Sequence, residues 1–262
     1  MKIKEVAEAL ERFAPLPLQE SYDNAGLQIG LTGNEDVSGV LLCLDVTEEV
    51  IREAEKKGCN VVVSHHPLIF RPLRHVTGDT QVERCVVMAI EKHIAIYSAH
   101  TNLDNASGGV NFMIAEKLDL QNVRFLQPLR GGEGGSGVIG EWPNDGLEAD
   151  AFLKELSTTF HVEGLMHNRL AKGRLIKKVA LCGGAGDFLL DEAISQGADA
   201  FLTGEMSYHR YFGHEDDILI AVMGHYQSEQ YTIQLLHRIL EAALPTLHVE
   251  ETSINTNPIV FN

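Results

Sequence analysis

Basic charge is scarce in this chain: 21 lysines and arginines face 37 aspartates and glutamates, for a net charge of −16. A surface of that sign repels phosphate backbones, so nucleic acid is not an expected partner. RGGEGG and LAKGRLIKK are the candidate basic stretches, and both are small. Cysteine is also sparse. Cys43, Cys59, Cys85 and Cys182 are scattered without a CxxC pair, which argues against a disulfide framework or a zinc ribbon and for reduced thiols in the cytoplasm. No apolar run approaches the roughly 20 residues of a membrane span. The opening MKIKEVAEALERFAPL carries acids throughout and reads as an amphipathic helix, not a signal peptide. Tryptophan occurs once and histidine 12 times, a balance that directs attention to metal chemistry.

What is present is an ordinary globular composition, 44% apolar and 22% charged, with a duplication written into it. VSGVLLCLDVTEEVIREAEKKGCNVVVSHH, from Val37 to His66, aligns without a gap with IKKVALCGGAGDFLLDEAISQGADAFLTGE, from Ile176 to Glu205. Val40, Leu42, Cys43, Glu53, Ala54 and Gly58 recur as Val179, Leu181, Cys182, Glu192, Ala193 and Gly197. Each copy reads as a buried strand, a turn, an amphipathic helix closed by glycine, and a second buried strand. Thr47 is placed to cap the first of these helices, with Val50, Ile51 and Ala54 on its apolar face. A repeated βαβ unit predicts parallel pairing in each half. The echo continues downstream, where IAIYSAHTNLD (94–104) matches ILIAVMGHYQSE (218–229): a strand, then His-x-x-x-acid, then a helix.

The expected fold is therefore α/β (α+β), two duplicated halves with mixed, largely parallel sheets. The first repeat is placed at 1–127 and the second at 128–262, with 128–146 as connector and a C-terminal strand that could pair back with the first half. The connector contains Gly135-Ser-Gly137-Val-Ile-Gly140, formally a GxGxxG. A dinucleotide fingerprint must follow a strand and open a helix, whereas this one runs into Glu141-Trp142-Pro143, so a flexible turn into an edge strand is expected. LEADAFLKELSTTFHV (147–162) reads as an amphipathic helix of the second half.

Functional groups in open α/β sheets gather beyond the carboxyl ends of the strands. His65 and His66 follow Val61–Val63, His100 and Asp104 follow Ile94–Tyr97, Gly204 and Glu205 follow Phe201-Leu202, and His225 and Glu229 follow Leu219–Val222. Two adjacent histidines cannot both face one core from a regular strand, so the chain must leave the sheet there if both are used. Mixed imidazole and carboxylate donors suit zinc, iron, manganese or nickel. Side chains that diverge from adjacent positions suit two ions better than one, and Glu229 or Asp104 has the reach to bridge them. Two-metal sites polarise electrophiles and lower the pKa of water. His209, one turn after Glu205, is placed to approach the same site. In ESYDNAGLQIG (20–30), Asp23 and Asn24 form a turn, or line a pocket as supporting partners to a histidine or as donors to a ligand.

ESYDNAGLQIG, VVVSHHPLIF, YSAHTNLDNASGGVN, LCGGAGDFLLDEAISQGADAFLTGEMSYH and GHYQSE resemble, in order and over nearly the whole chain, the Ngg-interacting-factor-like family, often labelled "GTP cyclohydrolase 1 type 2 homolog". The resemblance implies two interlocked α/β halves, a dinuclear metal centre, and a homohexameric ring of subunits with the metal sites facing an internal cavity. Matched by motif, the ligands of the two divalent ions are His65, His66, Asp104, His225 and Glu229, with Glu229 as the bridge. His100 is a further ligand or a proton carrier. Glu205, His100 and His209 are the candidates for moving protons. Only residues 126–175 lie between the halves, so the large inserted domain of some relatives is not expected. The implied reaction is hydrolytic opening of the guanine ring of GTP. No Walker-type loop is present, so phosphates would fall to the metals, to Arg71, Arg74 or Arg210, or to amides of the Cys182–Gly186 loop. Two alternatives stand beside it: a phosphoesterase or other small-molecule hydrolase, and a non-catalytic metal-binding ring acting as a regulatory partner or chaperone.

Overall fold

Unbroken apolar runs such as Val61–Val63 and Leu219–Val222 suit strands buried on both faces. The computed structural model, which describes residues 1–30, 35–169 and 173–261, builds two large sheets from such runs, beside a two-stranded one. Leu170, Ala171 and Lys172 of the basic stretch LAKGRLIKK lie outside the described residues. Two compact units result, Met1–Leu103 with Thr232–Pro258, and Asp104–Tyr231 with Ile259–Asn262.

The first unit carries β1 (Gly26–Ile29), β2 (Val40–Cys43), β3 (Val61–Ser64) and β4 (Ala95–Ser98). The second carries β5 (Gln121–Pro128), β6 (Gly135–Glu141), β7 (Leu147–Glu148), β8 (Met166–His167), β9 (Leu175–Ile176), β10 (Lys178–Cys182), β11 (Ala200–Thr203) and β12 (Leu219–Val222). The chain then returns to the first unit with a helix, Thr232–Ala243, and β13 (Val249–Glu251). The first sheet runs β1-β4-β3-β2-β13, with every neighbouring pair parallel except β1 with β4. The second runs β5-β6-β10-β11-β12-β8, parallel only from β10 to β12.

The duplication is visible in the registers. Val40 pairs with Val61 in the first sheet, and their repeat partners Val179 and Ala200 pair in the second. The helix Glu48–Lys56 has the predicted Thr47 cap, whose side chain accepts from the Val50 amide at 3.2 Å, and it buries Val50, Ile51 and Ala54. Its counterpart is shorter, Leu190–Ser195, and buries Leu190 and Ala193. Each fully buried valine, leucine or isoleucine in these layers stabilises the fold by roughly 1.5–3 kcal/mol relative to exposure.

Three expectations need correction. The units do not divide at 127/128, because β5, assigned to the first repeat, forms an antiparallel hairpin with β6 in the second sheet. The glycine-rich segment is not a turn into an edge strand. β6 lies inside the sheet between β5 and β10, and its glycines permit close pairing: a Cβ on Gly135 would lie 2.7 Å from the Phe125 ring. The helix expected over 147–162 covers Ala149–Thr159, since Leu147 and Glu148 pair with β9 instead.

Candidate metal centre

β3 ends at Ser64, and its fully buried hydroxyl turns the chain by donating to the His66 carbonyl at 2.7 Å. The amides of His65 and His66 still donate to the carbonyls of Cys43 and Leu44, so both residues remain fastened beside β2. The outcome is convergence, not divergence. The His65 and His66 rings have centroids 4.9 Å apart, and His100, just beyond β4, lies 5.4 and 5.6 Å from them.

Each of these rings has its Nδ1 held. His65 Nδ1 lies 2.8 Å from the Ala99 carbonyl, His66 Nδ1 lies 2.8 Å from Asp45 Oδ1, and His100 Nδ1 lies 2.7 Å from Asp23 Oδ1. When Nδ1 carries the donated proton, Nε2 carries the lone pair, the arrangement in which protein imidazoles bind metals. The supporting carboxylates are adapted to that task. Burial pushes the Asp23 carboxyl up, but hydrogen bonds from His100 and Thr101 outweigh it and hold the group down at about 2. Asp45 follows the same balance: burial raises it, while His66 and Thr256 bring it below its ordinary value.

In the second unit, His225 opens the short helix His225–Glu229 beyond β12. Its Nδ1 lies 2.7 Å from Glu205 Oε1 and its Nε2 lies 3.2 Å from Glu229 Oε2. Glu205 and Gly204 occupy the repeat positions of His66 and His65, so the second copy has exchanged the paired histidines for an orienting acid and a glycine. The glycine is needed. A Cβ on Gly204 would come within 2.7 Å of both the Gly184 carbonyl and Ser228 Oγ. Asp104 closes the helix Thr101–Asp104, half-buried, and its carbonyl accepts from Asn111 Nδ2 at 3.1 Å.

Donors of the kind that could hold a metal ion stand in each unit, the imidazoles of His65 and His66 in the first and the Glu229 carboxylate beside His225 in the second. His209 is exposed on the turn Tyr208–Tyr211, with its ring against Tyr208 and Phe212. The Cys182–Gly186 loop, offered for phosphates, spends most of its amides internally. The amides of Gly183, Gly184 and Gly186 donate to Asn111, Ser228 and Thr203. The Arg210 guanidinium is engaged as well, donating to the Asp187 carbonyl at 2.9 Å. Arg71 and Arg74 are exposed. The sequence offers a histidine partnership as one of the alternatives for Asp23, which the His100 contact matches, but gives no place to Asp45. The rule applied to the other strands would have found it, since Asp45 stands two residues beyond β2.

The fold and these donors define a mixed α/β protein whose histidine and carboxylate side chains are suited to metal binding. A model of the Duf34/NIF3 (NGG1p interacting factor 3) family matches residues 1–258, and the chain belongs to that family. A Clostridium acetobutylicum protein called "GTP cyclohydrolase 1 type 2 homolog" is 32% identical over 252 residues, covering 93% of this chain and 91% of its own. The Drosophila melanogaster "NIF3-like protein 1" is 34% identical over 235 residues, covering 87% and 78%. A crystal structure of a Staphylococcus aureus hypothetical protein superposes with a TM-score of 0.91 at 26% identity, covering 100% of this chain and 99% of that one. No helix among the described residues is long and apolar enough to cross a membrane.

Proposed function

We propose that this protein is a metal-dependent hydrolase of the GTP cyclohydrolase type, in which His65, His66, Asp104, His225 and Glu229 serve one dinuclear centre. The reading is supported chiefly by one repeated arrangement: the Nδ1 atoms of His65, His66, His100 and His225 each meet an oxygen at 2.7–2.8 Å, which presents Nε2 as the coordinating atom. The donor set of imidazole nitrogen and carboxylate oxygen fits zinc, iron, manganese or nickel. Bound divalent ions supply Lewis acidity and a source of hydroxide near neutral pH.

The chain's own residues then divide the work. Glu229 would supply a carboxylate to hold the ions, while Glu205 holds His225 in its working orientation instead of moving protons. His100, backed by Asp23, carries a proton to or from the reacting group. His209 is assigned no step, because its ring packs on Tyr208 and Phe212. Tyr22 and Phe70, both exposed, meet edge to face, and the Phe70 ring lies 6.1 Å from His100. They offer a surface for a planar ring such as a purine, with Arg71 and Arg74 nearby in sequence for its phosphates. Exposed Phe188, Tyr208 and Phe212 give the second unit apolar area that the homohexameric ring would cover. A cytoplasmic location agrees with four buried cysteines that form no disulfide.

The test is an assay of metallated protein against GTP and a nucleotide panel. Formate release from GTP, lost in a His65→Ala variant that still assembles, is the expected result. Phosphate release without formate would make the protein a phosphoesterase, and silence across the panel would contradict the enzymatic reading.

A further inference from the structure

The carboxylates behind His66 and His100 are built alike. Asp23 uses Oδ1 for His100 Nδ1, and its Oδ2 accepts from the amide and hydroxyl of Thr101. Asp45 uses Oδ1 for His66 Nδ1, and its Oδ2 accepts from Thr256 Oγ1 at 2.7 Å. Both are Thr–Asp–His chains in which one carboxylate oxygen meets the histidine and the other the threonine, and Asp23 Oδ1 also accepts from the Asn24 amide at 2.7 Å. The difference lies in where the threonine comes from. Thr101 is the residue next to His100, whereas Thr256 belongs to the C-terminal segment, 211 positions from Asp45.

That segment is fastened along its length. The Thr252 amide donates to the Leu42 carbonyl at 2.9 Å, continuing the β13–β2 pairing. The hydroxyls of Thr252 and Ser253 and the Ser253 amide all converge on the Glu53 carboxylate. Ile254 packs against the core cluster of the first sheet. Two residues later, Thr256 reaches Asp45. A carboxylate whose second oxygen is held cannot rotate away from its histidine, so the segment's docking fixes the His66 ring.

We infer that Thr256 is a positioning residue for His66, and that the C-terminal segment 252–256 thereby sets the metal affinity of the centre. The inference rests on the metal-binding reading of His66 proposed above. It predicts that Thr256→Val weakens Zn²⁺ binding by the Thr256–Asp45 contact alone, roughly 10-fold, at the low end of the 10–100-fold typical of outer partners of metal ligands.

The experiment uses the full chain and Zn²⁺ alone, titrated against a chromophoric chelator, with Thr256→Val, Thr256→Ser and Asp45→Ala. Expected are a roughly 10-fold loss for Thr256→Val, recovery to near wild type for Thr256→Ser, and a larger loss for Asp45→Ala. Thermal unfolding of each variant separates lost affinity from lost fold. Nitrogen chemical shifts of the His66 ring in the metal-free protein provide a second readout. In Thr256→Val they should move toward a mixture of Nδ1–H and Nε2–H tautomers, while Thr256→Ser keeps the wild-type pattern. Wild-type protein that binds no Zn²⁺ would overturn the metal reading, and the ring shifts would still decide the role of Thr256. Unchanged affinity and unchanged ring shifts in Thr256→Val would overturn the inference.

Discussion

His66 Nδ1 and Asp45 Oδ1 lie 2.8 Å apart, joining a histidine at the end of β3 to an acid just beyond the neighbouring strand β2. The pair shows how the first unit organises its chemistry. Strand order brings the tips of β2, β3 and β4 side by side, and short polar contacts then fix each imidazole.

Asn102 tests how firmly that tip is held. It is fully buried, accepts from the His100 amide at 3.0 Å and donates to the Ala14 carbonyl at 2.7 Å. Asn102→Ala leaves both backbone groups without this partner, and such losses cost about 1–3 kcal/mol each when the group stays buried. A lowered urea midpoint with an unchanged slope is the expected outcome.

Gly204 stands where the first repeat has His65, in contact range of the Gly184 carbonyl, Ser228 Oγ and His225 Cα. Gly204→Ala forces backbone to move, and overpacking of this kind costs about 1–3 kcal/mol. Reduced stability in chemical denaturation should accompany weaker metal retention, because His225 is displaced with it.

Glu53 gives a pH dependence of known sign. Burial pushes its carboxyl up, but bonds from Thr252, Ser253 and Lys57 bring it from 4.5 down to about 2. A carboxyl depressed in the folded state contributes stability above its unfolded pKa and loses it as pH falls through the folded one. Wild-type stability should therefore decline between pH 4.5 and 2, and Glu53→Gln should flatten that decline. Denaturant midpoints measured across this range check it.

Much of this was legible in the chain because repetition and burial leave local marks. The unbroken apolar runs of β3 and β12 and the cap at Thr47 are local features, and the gapless alignment of Val37–His66 with Ile176–Glu205 carried the parallel pairing of β2 with β3 and of β10 with β11. The histidines stood out since polar groups at strand ends are few. What stayed hidden depends on partners distant in sequence. The glycines of β6 look like a loop until β5 is seen packed against them. The boundary between units was misplaced because residues 104–127 join the second unit, through the β5–β6 hairpin, without any change of composition. Glu205 reads equally well as a proton carrier or an orienting acid until its 2.7 Å contact with His225 is known. Nothing near Thr256 signals that it supports Asp45.

Metal stoichiometry per chain, determined by elemental analysis of the purified protein beside His65→Ala, His66→Ala and Glu229→Ala, addresses the central claim most directly. Two divalent ions per chain in the wild type, with marked loss in all three variants while the fold persists, is the predicted result. A wild-type protein that retains no metal after loading, or variants that retain as much as it does, would contradict the account.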